Sequence, residues 1–422
     1  MVNAKSNEKT LDGVGEDPSG YAHHPEIDCY GQYVACVYTK ETQTWDSERG
    51  DWVENIRIAI SIDYGVNFNI REWVSSNSNV YQDYADVQLV NDEYYDCVRL
   101  VVVWQERSAQ GEEPWVIKAR ERQGLTQYDS WGGVSTLSDD EVYCIYPKVA
   151  LFSCVNTAPQ PDEYFTYWHF TWQAYDTEVG YWGIQMISNR ISDGMSGWQS
   201  NAQWIAQPTE SIEYRHPAIS ANSGSSYSSD VHLIYEKEDD EAEIPYSYPL
   251  QIIEENGHVP SSGTITYTQD GSDYSLEWAS GYLGYPDIVS YGYDNTARIL
   301  SIYYCGSANS SIRVKSSVNG GGSFTSSTSP LSGNDCDFSL RCLAIDCRSG
   351  SFSIVWTNGN EVYFNECSFS TSPPYTYSWG SNEQWIDNDD EEDFVDIGMD
   401  GSTYSHVCWQ KLEQSVKYAR DP

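Results

Sequence analysis

The sequence predicts an all-β chain: a seven-bladed β-propeller of four-stranded antiparallel blades, with residues 1–422 forming one domain. Three observations carry this. A four-residue anchor recurs seven times: HPEI ending at Ile27, YADV at Val87, YPKV at Val149, HPAI at Ile219, YPDI at Ile288, DCDF at Phe338 and FVDI at Ile397. Blades therefore begin near 24, 84, 146, 216, 285, 335 and 394. After each anchor comes a polar turn and then an apolar run closing on Tyr or Trp: YVACVY (33–38), VRLVVVW (98–104), TYWHFTW (166–172), VHLIY (231–235), ILSIYY (299–304), FSIVW (352–356) and SHVCW (405–409). Aromatic residues make up 14% of the chain, and long Leu- or Ala-rich amphipathic stretches are missing. Aromatic and β-branched side chains suit a pleated surface. Strand signals repeating at this period point to a radial or solenoidal β array.

The first repeat shows the unit. A short strand surrounds Ile27, Tyr33–Tyr38 forms a second, and a polar loop follows over 39–54. Ile56–Ile60 alternates as a third strand and Arg71–Ser75 reads as a fourth. Between the last two lies SIDYGVNF (61–68), and the fifth repeat carries SVNGGGSF (317–324) at the same place. The side chain of Asp63 or Asn319 is suited to accept bonds from nearby backbone N–H groups, as in an Asx-turn. Gly65 and Gly321 supply the positive φ that a tight turn needs. Phe68 and Phe324 are expected to plug the space between neighbouring sheets, with Ser61 and Ser317 opening each motif.

These elements resemble the Asp-box, or BNR, repeat of sialidase-like β-propellers of secreted and cell-surface type. SNRISDGMSGW (188–198) reads as a third, degraded copy. The resemblance implies the fold more than an activity, because the family spans sialidases, other polysaccharide-active enzymes and non-catalytic surface modules. Its sialidases hold a carboxylate with three arginines, one from an Arg-Ile-Pro-like motif. The similar tripeptide here, Arg215-His216-Pro217, lies in the fourth repeat instead of the first.

The last repeat supplies three strands, near Ile397, at Ser405–Trp409 and at Val416–Arg420, and then ends. EKTLDG (8–13) precedes the first anchor much as GVSTLSDD precedes the third. The N-terminal segment is therefore expected to complete blade seven, since closure by both termini removes unpaired edges.

A formal charge of −40, from 63 acids against 23 bases, argues against a nucleic-acid partner. No apolar run reaches the roughly 18 residues of a membrane span. Eleven cysteines suggest an oxidising compartment and an extracellular or cell-surface location. Cys29/Cys36 and Cys342/Cys347 flank polar turns and are candidate disulfides. The first residues carry no apolar core and do not read as a signal peptide. Asn309-Ser-Ser is a glycosylation sequon. Two acidic runs, EKEDDEAE (236–243) and DNDDEED (387–393), are expected in loops. Asp387, Asp389 and Asp393 are weak candidate Ca²⁺ ligands.

No coherent catalytic set emerges. His169, His232 and His406 share one place, three residues before a terminal aromatic, and read as repeat packing. Trp45, Trp52 and Trp182 lie in loops where they would stack on sugars or on another subunit. The function expected from sequence is a non-catalytic extracellular surface or matrix module for binding or self-assembly. Its partners would be glycans, surface proteins or copies of itself in a homopolymeric filament. The alternative is a carbohydrate-active enzyme of propeller type, a glycoside hydrolase or a polysaccharide lyase using His and Tyr as acid and base.

Overall fold

In the computed structural model the strands assemble into antiparallel blades, and the chain is a seven-bladed β-propeller. The structure describes residues 9–11 and 21–420, apart from 47–50, 109–113, 127, 141, 158–161, 193–194, 200, 225–226, 240–249, 271–272, 280–281, 293–295, 307–310, 326–342, 349–350, 358, 370–376, 381–382, 401–403 and 412–414. Two compact units divide the chain. One holds Met1–Leu89, Leu100–Pro147 and Asp335–Pro422, the other Val90–Arg99 and Lys148–Asn334. Among the described residues no helix is long and apolar enough to cross a membrane.

In the first unit, blade one runs Ala22–Tyr30, Tyr33–Asp46, Asp51–Ser61 and Ile70–Trp73 in spatial order. The strand Glu383–Met399 serves two blades. Its start pairs with Gly359–Phe369 of blade six and its end with Ser405–Lys411 of blade seven. The N-terminal segment closes blade seven as expected: Lys9 opposes Tyr418 and Thr10 opposes Lys417. The Leu11 N–H then donates to the Val416 carbonyl at 3.0 Å, and the Leu11 side chain is fully buried.

The DCDF anchor lies outside the described residues. The described first strand of blade six is Leu343–Arg348, which pairs with Ser351–Thr357. Ile345-Asp346-Cys347 there repeats the Ile27-Asp28-Cys29 of blade one.

In the second unit, blade three is built on Cys144–Asn156, Glu163–Asp176 and Tyr181–Ser192. Blade four uses Ile212–Ser223, Ser229–Asp239 and Leu250–Val259, and blade five Tyr282–Tyr291, Arg298–Gly306 and Ser311–Ser317. All seven terminal aromatics of the second strands, Tyr38, Trp104, Trp172, Tyr235, Tyr304, Trp356 and Trp409, are at most 1% exposed. Such rings bury about 150–250 Å² each, so the repeat marks the core.

Both turns of the Asp-box type form. Ser61 Oγ donates to Asp63 Oδ1 at 2.7 Å, while the N–H groups of Gly65 and Asn67 donate to Ser61 and Asp63 at 2.9 and 2.7 Å. Ser317, Asn319, Gly321 and Ser323 repeat this pattern at 2.9–3.0 Å. Phe68 plugs against the Tyr418 ring, 4.8 Å between centroids, and Phe324 lies 5.4 Å from Tyr274. The third copy is partly outside the described residues.

Two local expectations need correction. Cys29 and Cys36 are buried thiols. Ile27 opposes Cys36 and Cys29 opposes Val34, so the two cysteines are diagonal neighbours about 7–8 Å apart, too far for ordinary disulfide geometry. Cys347 is likewise a thiol, and Cys342 lies outside the described residues. The acidic run 387–393 is not a loop: it lies inside the strand Glu383–Met399, with Asp387 opposing Glu361 and Asp393 opposing Gln410. Pairing at its two ends, to blade six at Asp387 and to blade seven at Glu392 and Asp393, anchors the segment across a register break. Of the other run, 236–239 also belongs to a strand.

Candidate functional site

The feature that sequence reading missed sits at the first residue of the anchors. His24, Tyr84, Tyr146, His216, Tyr285 and Phe394 all adopt a left-handed backbone, with φ between 43 and 54°. Six non-glycine residues at equivalent places in a conformation that few side chains enter require a local cause. In blades one, four, five and seven the first strand gains one residue over its partner here. The register breaks fall between His23 and Glu26, Arg215 and Ala218, Gly284 and Asp287, and Asp393 and Val395. A β-bulge of this kind re-aims a side chain.

In blades one, three, four and five a clasp from the preceding blade holds the left-handed residue. The residue just after the terminal aromatic accepts the left-handed residue's N–H: Gln410 from His24 and Gln105 from Tyr146, both at 3.1 Å. Gln173 takes the N–H of His216 at 3.3 Å and Glu236 that of Tyr285 at 2.7 Å. Deeper in the first unit, buried Asp28 and half-buried Asp346 and Asp396 accept the N–H groups of Leu89, Met399 and Ile27, each at 2.6 Å. Burial, together with the charge of Asp346, pushes the Asp28 carboxyl up. Burial also raises Asp346, although the Arg348 guanidinium opposes the shift at both.

In the first unit the re-aimed rings meet. The His24 imidazole stacks on Tyr84 at 4.1 Å between centroids and meets Phe394 at 4.3 Å, while Tyr84 contacts Tyr146 at 4.7 Å. A shallow pocket lies here, lined by His24, Pro25, Glu26, Tyr84, Phe394 and their neighbours. Behind it is a polar cluster. His24 Nδ1 lies 2.6 Å from Asp83 Oδ1 and 3.1 Å from His23 Nδ1, and His23 Nε2 lies 2.9 Å from Glu54 Oε1. Thr39 Oγ1 and the Tyr84 N–H both donate to Asp83 Oδ1 at 2.8 Å. Burial acts to raise the Asp83 carboxyl, but the two imidazoles and Thr39 prevail and hold it well below the usual carboxylate range. At His23 burial lowers the pKa, yet Glu54 and the neighbouring charges outweigh it and raise it.

The second unit contains a simpler counterpart. His216 Nδ1 lies 2.9 Å from buried Glu236 Oε1, and the His216 ring is 4.9 Å from Tyr285. Arg215 pairs with Glu213 and Glu238.

Other residues singled out in the sequence fall elsewhere. His169, His232 and His406 are buried and bonded through both ring nitrogens, as packing groups. His169 meets Ser188 and Ser229, His232 meets Asn256 and Asn222, and His406 meets Tyr418 and Asp400. Trp45 and Trp52 oppose each other on an exposed hairpin, edge to face at 5.1 Å. Trp182 packs on Tyr175 at 5.2 Å. The side chains of Asp387, Asp389 and Asp393, and all of Asn309, lie outside the described residues. One signal in the sequence pointed to the pocket: the anchors open with His, Tyr or Phe in six of seven repeats.

No protein-family profile matches the sequence, and no curated protein does. Among solved structures the chain is similar to a leech intramolecular trans-sialidase, at 11% identity over 99% of this chain and 70% of that one, with a TM-score of 0.47. An intramolecular trans-sialidase from Ruminococcus gnavus gives 10% identity, 100% and 98% coverage and a TM-score of 0.48. An α-L-arabinofuranosidase from Fusarium graminearum gives 10% identity, 80% and 92% coverage and a TM-score of 0.44. These neighbours are enzymes, which corrects the non-catalytic module expected from the sequence. Seven blades, closure by the N-terminal strand and two turns of the Asp-box type give the chain a fold similar to that of sialidase-like β-propellers.

Proposed function

We propose that this chain is a carbohydrate-active enzyme that cleaves glycosidic linkages, with the sugar held against the ring cluster of His24, Tyr84 and Phe394. A single observation carries the reading: three blades each hold a strained left-handed residue whose ring is aimed into one pocket. Backbone strain repeated in this way clusters at ligand sites. Aromatic faces suit the C–H faces of a pyranose. Glu26 and His24 both line the pocket and bring a carboxylate and an imidazole to the same region.

A panel of polysaccharides and aryl glycosides, followed by chromatography of the released sugars, tests this. Tyr84→Ala and Phe394→Ala are expected to lower kcat/KM at least tenfold while the circular dichroism spectrum is unchanged. An ultraviolet-absorbing unsaturated product would assign elimination, and its absence hydrolysis. Folded wild-type protein that turns over no member of the panel would overturn the proposal.

A further inference from the structure

The geometry points to a divalent transition-metal site of the zinc class, formed by His23 Nδ1, His24 Nδ1 and Asp83 Oδ1 at the back of this pocket. The three atoms lie within 4.8 Å of one another. Consecutive side chains of a regular strand point to opposite faces. His23 and His24 converge because the bulge and the left-handed φ of 50° at His24 rotate the second ring back beside the first.

The three donor atoms face one another. His24 Nδ1 lies 3.1 Å from His23 Nδ1 and 2.6 Å from Asp83 Oδ1, while His23 Nε2 faces Glu54 Oε1 at 2.9 Å. The surroundings are those of a built site. Metal-bound histidines commonly donate their other ring N–H to a carboxylate, as His23 is placed to do to Glu54. Thr39 and the Tyr84 N–H orient Asp83.

Two imidazoles and one carboxylate match zinc and its transition-metal neighbours better than Ca²⁺, which prefers six to eight oxygens. The side chains of His23, His24 and Asp83 keep 16, 15 and 14% exposure, so coordination positions remain for water or a substrate oxygen. A bound ion there would polarise that oxygen. This role in turnover rests on the glycan-cleaving reading, but the site itself does not.

The test uses the metal alone. Metal-stripped full-length protein is titrated with Zn²⁺ by calorimetry and with Co²⁺ by visible absorption. Wild type is expected to bind one ion per chain. His23→Gln and Asp83→Asn, each shown to be folded by circular dichroism, should lose at least 100-fold in affinity, and Glu54→Gln should lose about 10–100-fold. Tyr84→Ala should retain the ion while losing sugar turnover, so failure of the metal site and failure of the glycan reading are distinguishable. Lack of stoichiometric binding by wild type, or equal affinity in wild type and both ligand variants, overturns the inference.

Discussion

Gln410 accepts the backbone N–H of His24 at 3.1 Å, joining the last blade's second strand to the first blade's bulge. The same clasp recurs at Gln105–Tyr146 and Gln173–His216. Gln410 is only 3% exposed, so its loss leaves a half-buried donor unpaired. Gln410→Leu is expected to destabilise the fold by about 1–2 kcal/mol, read as a lower urea midpoint.

Ring closure makes a second demand. Leu11 is fully buried among Tyr38, Cys408 and Val416, beside the two-residue strand Lys9–Thr10. Truncating it leaves a cavity between a wall from the start of the chain and a wall from its end. Leu11→Ala is expected to cost about 2–5 kcal/mol. A midpoint equal to wild type would show that the N-terminal strand does not hold the ring closed in solution.

The two turns of the Asp-box type offer a matched pair of substitutions. Gly65 has φ of 73° and Gly321 of 85°, and an added Cβ would overlap the Tyr418 hydroxyl at the first and the Asn256 amide at the second. Gly65→Ala and Gly321→Ala should each cost about 2–4 kcal/mol, combining left-handed strain with overpacking. Tyr418→Phe should recover part of the Gly65→Ala loss, because it removes the oxygen that the Cβ meets. Thermal melts of the single and double variants decide this.

Periodic burial and turn chemistry are local rules, and these were legible. Tyr38 and Trp409 announce their burial through strand alternation, Ser61–Phe68 declares its turn, and Lys9–Thr10 pairs where the missing strand of blade seven required it. The pocket was not legible, because no propensity predicts His24 or Tyr84 at positive φ. At His24 it is imposed by a bulge and a clasp from another blade, a tertiary effect absent from the local sequence. His23 was hidden for the same reason, since strand alternation turns it away from His24 until the bulge is known. The acidic run 387–393 misled in the opposite sense: charge and turn-like composition suggested a loop, but pairing with Glu361 on one side and Gln410 on the other overrides them. Cys29 and Cys36 looked bridgeable in sequence, and only the register separates them.

Buried histidines predict how the fold responds to acid. Burial pushes His169 down to about 3 and also lowers His406, although Asp400 opposes the shift at the latter. The unfolded chain takes up these protons near 6.5, before the native state does. The stability contributed by a neutral buried imidazole is therefore complete above about 6.5 and is lost as pH falls towards the native value. The urea midpoint of wild type relative to His169→Asn should fall steadily between pH 7 and 4. Parallel profiles for the variant and wild type would refute the assignment.

Glu255 predicts a response of the opposite sign. It is 3% exposed, and its carboxylate receives the hydroxyls of Tyr235 and Tyr267 at 3.2 and 3.1 Å. Burial, assisted by the charge of Asp273, raises it to about 7 against the pull of the two hydroxyls. An unfolded glutamate titrates near 4.3, so between that value and about 7 the native state holds a proton that the unfolded chain has released. Stability from this site falls as pH rises through the window and stays lower above it. Glu255→Gln keeps the shape and a hydrogen-bonding oxygen without the charge. It should be nearly neutral at pH 4 and stabilising by about 1–3 kcal/mol at pH 8. Urea denaturation of wild type and variant at both pH values measures the difference, and a gain of equal size at pH 4 would show that the buried charge is not its source.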